Sequence, residues 1–199
     1  LAGARVFLDV GSHEGQTLEV VVRPVHGFDR IYAFEPMPVQ FGTLQERFGD
    51  VPGVELCNYG LAGSTARMPV YGANEIMEAS LYPAKSDVDA AVITVCEFVE
   101  AAEFFREHID PGMEVVMKLN CEGAEVAILR NLMDAGQIWK CAHICVDFDV
   151  RRIPGMEASE HRVMRYLRQM GFTRAVEREH VMLGETHDER ITHWLGTCR

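Results

Sequence analysis

Short apolar runs alternate along this chain with stretches whose apolar residues recur at helical spacing. "ARVFLDV", "RIYAFE", "VELCNYG", "EVVMKLN" and "AHICVDF" read as strands. Between them, Leu18, Val21, Val22 and Val25 mark a helix face, as do Phe41, Leu44 and Phe48. Further faces follow at Phe98, Ala101, Ala102 and Phe105, at Val126, Leu129, Leu132 and Met133, and at Val163, Tyr166, Leu167 and Met170. "ARMPVY" and "AVITV" are short strand signals with a loop between them. The tail, "FTRAVEREHVMLGE" and "THWLG", reads as strands joined by a turn. Strands separated by helices imply an α/β fold, a mostly parallel sheet with helices on both faces. With 199 residues and no internal repeat or linker, we read a single domain over 1–199. In such sheets ligands bind at the carboxyl ends of the strands, near the point where strand order reverses.

The first such end is Asp9-x-Gly11-x-x-x-Gly15, where a strand hands over to a helix. Its glycine spacing differs from the G-x-G-x-x-G of dinucleotide sites, and no Lys supplies a P-loop. A plain strand-to-helix turn is one reading, and bare amides facing a ligand are the other. The second strand ends in Glu35, 20 residues after Gly15. A carboxylate there can accept both hydroxyls of a ribose, or can simply favour a helix start. Loop and acid together point to a nucleoside-type cofactor. Without a pyrophosphate pattern, S-adenosylmethionine fits better than NAD.

Bulk properties narrow the partners. A net charge of −11 argues against nucleic acid, whose binding rests on Lys and Arg neutralising phosphates. No apolar run approaches the length of a membrane span. Six cysteines occur without a C-x-x-C pair. In a strand, Cys141 and Cys145 would lie about 13 Å apart, too far to share a metal or a disulfide. Buried thiols in a reducing compartment, the cytoplasm, are the expectation.

"FLDVGSHEGQT", "IYAFEPMP" and above all "VMKLNCEGAEVAILRNL" resemble the FkbM family of class I S-adenosylmethionine-dependent methyltransferases, over roughly residues 5 to 150. The resemblance implies a Rossmann-like, seven-stranded sheet ending in a C-terminal antiparallel hairpin. It also implies methyl transfer to a hydroxyl of a sugar, polyketide or other small natural product. By position, Asp9, Gly11, Ser12, His13 and Gly15 are similar to the family's methionine-side loop, and Glu35 to its ribose acid. Pro36 and Met37 fall beside the adenine. Asn58 and Leu61 match the adenine-side segment, and Ser80-Leu81 a pair in the family's middle loop. The family's K-x-D-x-E-G reads here with Asn120 at the Asp position.

That departure bears on catalysis. A hydroxyl acceptor must lose its proton, and Asn120 cannot serve as a carboxylate base. It can equally be a helix N-cap. Glu122 is a first-turn acid or a catalytic one, and Glu125 either similar or a support for a neighbouring loop. Asp147 and Asp149 alternate onto one side of the strand end, and paired acids there are costly unless something binds them. His187-Asp188 would form a base dyad if a hairpin turn folds over the pocket. No histidine spacing gives a metal site. The polar stretch over residues 72–88 is long enough to shape an acceptor pocket. An amine acceptor, or a cofactor-binding module without chemistry, are the competing readings. Oligomeric state is not legible.

Overall fold

A computed structural model describes residues 3–72, 79–86 and 88–198. Six parallel strands form the central sheet: β1 (Arg5–Val10), β2 (Arg30–Phe34), β3 (Val54–Cys57), β7 (Glu114–Leu119), β8 (Cys141–Val146) and β9 (Ala175–Glu177). Their order is β3-β2-β1-β7-β8-β9. Strands β4 (Gly60–Ala62), β5 (Ala66–Tyr71) and β6 (Ile93–Glu100) make a separate three-stranded sheet in the order β4-β6-β5.

Successive residues of β1 point to opposite faces, and each face has its own core. Val6 and Leu8 pack with Met117 beneath α3 (Ala101–His108), α4 (Glu125–Asp134) and α5 (Ser159–Gln169). Phe7 packs on the other face with α1 (Leu18–Val21), α2 (Pro38–Phe48) and α7 (His187–Thr197). Central strands sandwiched in this way must be apolar on both sides, which explains the near-continuous runs in the sequence. Chain order reverses between β1 and β7. A crevice therefore opens where their carboxyl ends part, and it draws on the loops after β1, β2 and β7.

The α/β class stands, and several details differ from expectation. The sheet has six strands among the described residues, all parallel, with no closing hairpin. "THWLG" lies in α7 and not in a strand. Thr186 and Glu189 form a capping box at its start, and Ile191, Trp194 and Leu195 are its buried face. Trp194 meets Phe7 edge to face at 6.0 Å, so burial of the indole ties the tail to the sheet. A short α6 (Arg178–Val181) precedes it. The first helix stops at Val21, because Pro24 opens a 3-10 turn and leaves Val25 exposed. Phe98 belongs to β6, and Ala101 begins the next helix. On α5, Met164 takes the core position expected of Tyr166 and Met170, which are largely exposed.

Candidate active site

A cavity of about 390 Å³ occupies the crevice at the carboxyl ends of β1, β2 and β7. Its floor is the turn after β1. Gly11 has φ +82°, and a Cβ there would lie 1.8 Å from the Asn120 carbonyl oxygen, so only glycine lets these two strand ends meet. Gly15, at φ +87°, sits against Phe48 behind the wall and does not line the cavity. Several of the turn's amides are taken. Gly11 and Ser12 both donate to the Phe34 carbonyl, at 3.1 and 3.0 Å, and Gly15 donates to Ser12 O. With α1 only four residues long, the helix start offers little dipole. Gln16, Thr17 and Lys118 add polar side chains at this end of the cavity.

Glu35 forms the opposite wall. One carboxylate oxygen accepts the His13 N–H at 2.8 Å and the other accepts the Met37 N–H at 2.9 Å. Each oxygen keeps a lone pair, and the residue lines the cavity. Burial raises its pKa to about 7, against the lowering effect of the two N–H donors. Pro36, Met37 and Leu61 continue the wall. Asn58 stands behind it, donating to the Glu35 carbonyl at 3.1 Å.

Asp9 is wholly buried and does not line the cavity. It holds Lys118, whose Nζ lies 2.9 Å from Asp9 Oδ1 and 3.4 Å from the Gly11 carbonyl. Lys118 itself lines the cavity, a role that sequence reasoning missed although the residue opens the quoted motif. An ammonium has three donors, so Lys118 keeps capacity for a ligand carboxylate.

Among the proposed catalytic residues, Asn120 and Glu122 line the cavity. Asn120 is not an N-cap, since Ala124 caps α4. Glu122 pairs with the buried Lys85, and Ser80 Oγ donates to its carbonyl at 2.8 Å, which fastens the 79–86 segment over β7. Residues 73–78 and 87, within the stretch expected to shape the acceptor pocket, lie outside the described residues. Glu125 supports a loop: its Oε1 accepts the N–H groups of Cys121 at 3.1 Å and Gly123 at 3.0 Å. Asp147 and Asp149 are not brought together on a common partner. Asp147 pairs with Arg178 at 2.6 Å, while Asp149 lies 3.6 Å from Lys85 and 3.7 Å from Arg152.

Beside the main cavity is a chamber of about 90 Å³ lined in part by Asp147, Arg178 and His187. Lys118, Asn120 and His187 border both spaces. His187 is brought there by α7, not by a hairpin, and Asp188 turns away to Arg23, so the dyad does not form. The His187 Nε2 instead lies 3.2 Å from Thr17 Oγ1. No cluster of His, Cys, Asp and Glu among the described residues could hold a metal ion.

A sequence model of the methyltransferase FkbM domain matches residues 9–173. The chain belongs to the FkbM methyltransferase family. Among solved structures, methyltransferase FkbM from Methylobacillus flagellatus KT is similar in fold at 16% identity, with a TM-score of 0.52. That likeness covers 83% of this chain, which spans only 38% of the other's length. No curated protein matches the sequence. The FkbM match takes in the Gly11 turn, Glu35, Lys118 and Asn120, and it ends before His187. No helix among the described residues is long and apolar enough to cross a membrane.

Proposed function

We propose that this protein is an S-adenosylmethionine-dependent methyltransferase acting on a hydroxyl of a small or glycosidic acceptor. The observation that carries the reading is Glu35: a buried carboxylate on the cavity wall, oriented through both oxygens and with one lone pair free on each. That arrangement suits the two adjacent hydroxyls of a ribose. Met37 and Leu61 offer apolar surface for the adenine. Lys118, steadied by Asp9, would receive the amino-acid carboxylate.

When bound, the sulfonium supplies a methyl group already activated for displacement. What this chain must do is hold an acceptor oxygen in line with it, and orientation of that kind is worth ~7–11 kcal/mol. The Asn120 amide, at the junction of cavity and chamber, can orient the acceptor by accepting or donating a hydrogen bond. The six cysteines are unpaired and five are buried, which favours a reducing, cytoplasmic setting.

Calorimetry with S-adenosylmethionine, S-adenosylhomocysteine and NAD tests the cofactor assignment, with binding expected for the first two and none for NAD. Labelled methyl transfer to panels of sugars and amines then tests the acceptor class. Asn120 favours one further reading, a cofactor-binding module without chemistry. Tight cofactor binding with no incorporation into any acceptor would support it.

A further inference from the structure

The proposed reaction needs a base for the acceptor proton. Glu122 is tied to Lys85, Asp147 to Arg178, and Asn120 cannot ionise. At the junction of the two spaces stand Lys118, whose ammonium is held by Asp9, and His187. We propose that the side chamber receives the acceptor's hydroxyl and that His187 takes its proton.

Three observations bear on this, given the methyltransferase reading on which it rests. First, His187 lines both the main cavity and the chamber, so a group bridging the two spaces passes its ring. Second, Thr17 fixes the imidazole. The contact is 3.2 Å from Thr17 Oγ1 to Nε2, and in the tautomer that donates through Nε2–H the lone pair is on Nδ1. Third, the surroundings keep the ring neutral. Partial burial lowers its pKa, the Lys118 charge on β7 adds to this, and Arg178 on α6 and Arg190 on α7 do so more weakly, while Asp9 on β1 opposes them. A neutral imidazole is the form that accepts a proton. The chamber is small, with the Asp147–Arg178 pair and the Asn120 amide on its walls beside Leu119 and Met182. A hydroxyl-bearing end fits it better than an aromatic ring. Because His187 lies beyond the FkbM match, this base is supplied by the chain's own C-terminal helix.

In the step, the acceptor oxygen forms a bond to the methyl carbon as that carbon's bond to sulfur breaks. The electron pair stays on sulfur, giving a neutral thioether. The proton leaves the oxygen for His187 Nδ1 and passes from the imidazolium to solvent.

The test uses ethylene glycol as a small alcohol probe. Wild-type protein with labelled S-adenosylmethionine is expected to yield the labelled methyl ether. His187→Gln should slow that reaction by about 100-fold or more while cofactor affinity stays the same. Added imidazole should restore turnover to His187→Ala, which a merely structural role would not allow. The wild-type rate should fall on acidification as the ring is protonated, and that limb should vanish in His187→Gln. Independently of turnover, the His187 ring resonances should shift when ethylene glycol meets protein saturated with S-adenosylhomocysteine. Cofactor binding without any ether product overturns the proposal, as does full activity in His187→Gln with loss in Asp147→Asn. Failure to bind the cofactor at all overturns the methyltransferase reading beneath it.

Discussion

Glu35 and Glu125 are the same residue type in nearly the same setting, put to different uses. Glu35 directly follows β2 and Glu125 opens α4; each is buried, and each accepts two backbone N–H groups. Burial lifts both to a pKa of about 7. The difference lies in how the donors are shared. Glu35 takes one on each oxygen and faces the cavity. Glu125 takes both on Oε1, leaves Oε2 without a hydrogen-bond partner among the described residues, and lies outside the cavity wall. One carboxylate opens onto the cavity, while the other braces the Cys121–Gly123 turn that carries Glu122 to its wall. A buried acid with a raised pKa is thus no sufficient mark of a binding residue; its free lone pairs must open onto space.

The largest effect expected from this comparison is on stability against pH. A carboxylate whose folded pKa is raised from 4.5 to about 7 contributes stability that is fully present below the unfolded value and is lost as pH rises through 7. The loss should approach about 3 kcal/mol for each group between pH 4.5 and 8. Denaturant unfolding at both pH values should show it, and Glu125→Gln should remove roughly half. Equal stability at the two pH values in wild type would break the pairing of these residues.

Glu35→Ala should weaken S-adenosylmethionine by ~1–3 kcal/mol, the scale of lost hydrogen bonds to a charged group. Calorimetry should find Glu125→Gln, folded and matched for concentration, much closer to wild type. If the Glu125 change costs as much affinity, the division between ligand acid and loop brace fails.

A sharper, smaller effect concerns protons. Ribose hydroxyls donate to the ionised carboxylate, so cofactor affinity should rise severalfold from pH 6 to pH 8 as Glu35 loses its proton. Glu35→Gln should flatten that slope, whereas Glu125→Gln should leave it. Smallest of all, Asn58→Ala removes one bond to the Glu35 carbonyl from behind the wall. A cost of about 0.5–1.5 kcal/mol in stability is expected, with a lesser loss of affinity than Glu35→Ala causes. Thermal unfolding and calorimetry on the one variant check both.

The same pair shows what a sequence can reveal. Glu35 is legible because strand, acid and proline follow one another locally, 20 residues after a glycine turn. The parallel sheet is legible for a similar reason, since its strands are buried on both faces and read as unbroken apolar runs. The occupied amides of Gly11 and Ser12 were not legible: their acceptor, Phe34 O, comes from a neighbouring strand, and only the fold brings it there. Lys118 hides for the same reason, because a lysine in a strand gains meaning only when Asp9 lies across the ladder. The tail misled by its length. "THWLG" alone is too short to show helical period, yet the capping box at Thr186 and Glu189 was a local signal that a helix begins there. With that helix, His187 entered the site from a direction no strand pattern suggested.

The most direct measurement is a calorimetric cycle at pH 8: S-adenosylmethionine and its 2′,3′-dideoxyribose analogue, each titrated into wild type and into Glu35→Ala. The account predicts that removing the diol weakens binding to wild type about as much as removing the carboxylate does, and that the two losses together exceed either alone only slightly. Equal affinity of wild type for both compounds would contradict it.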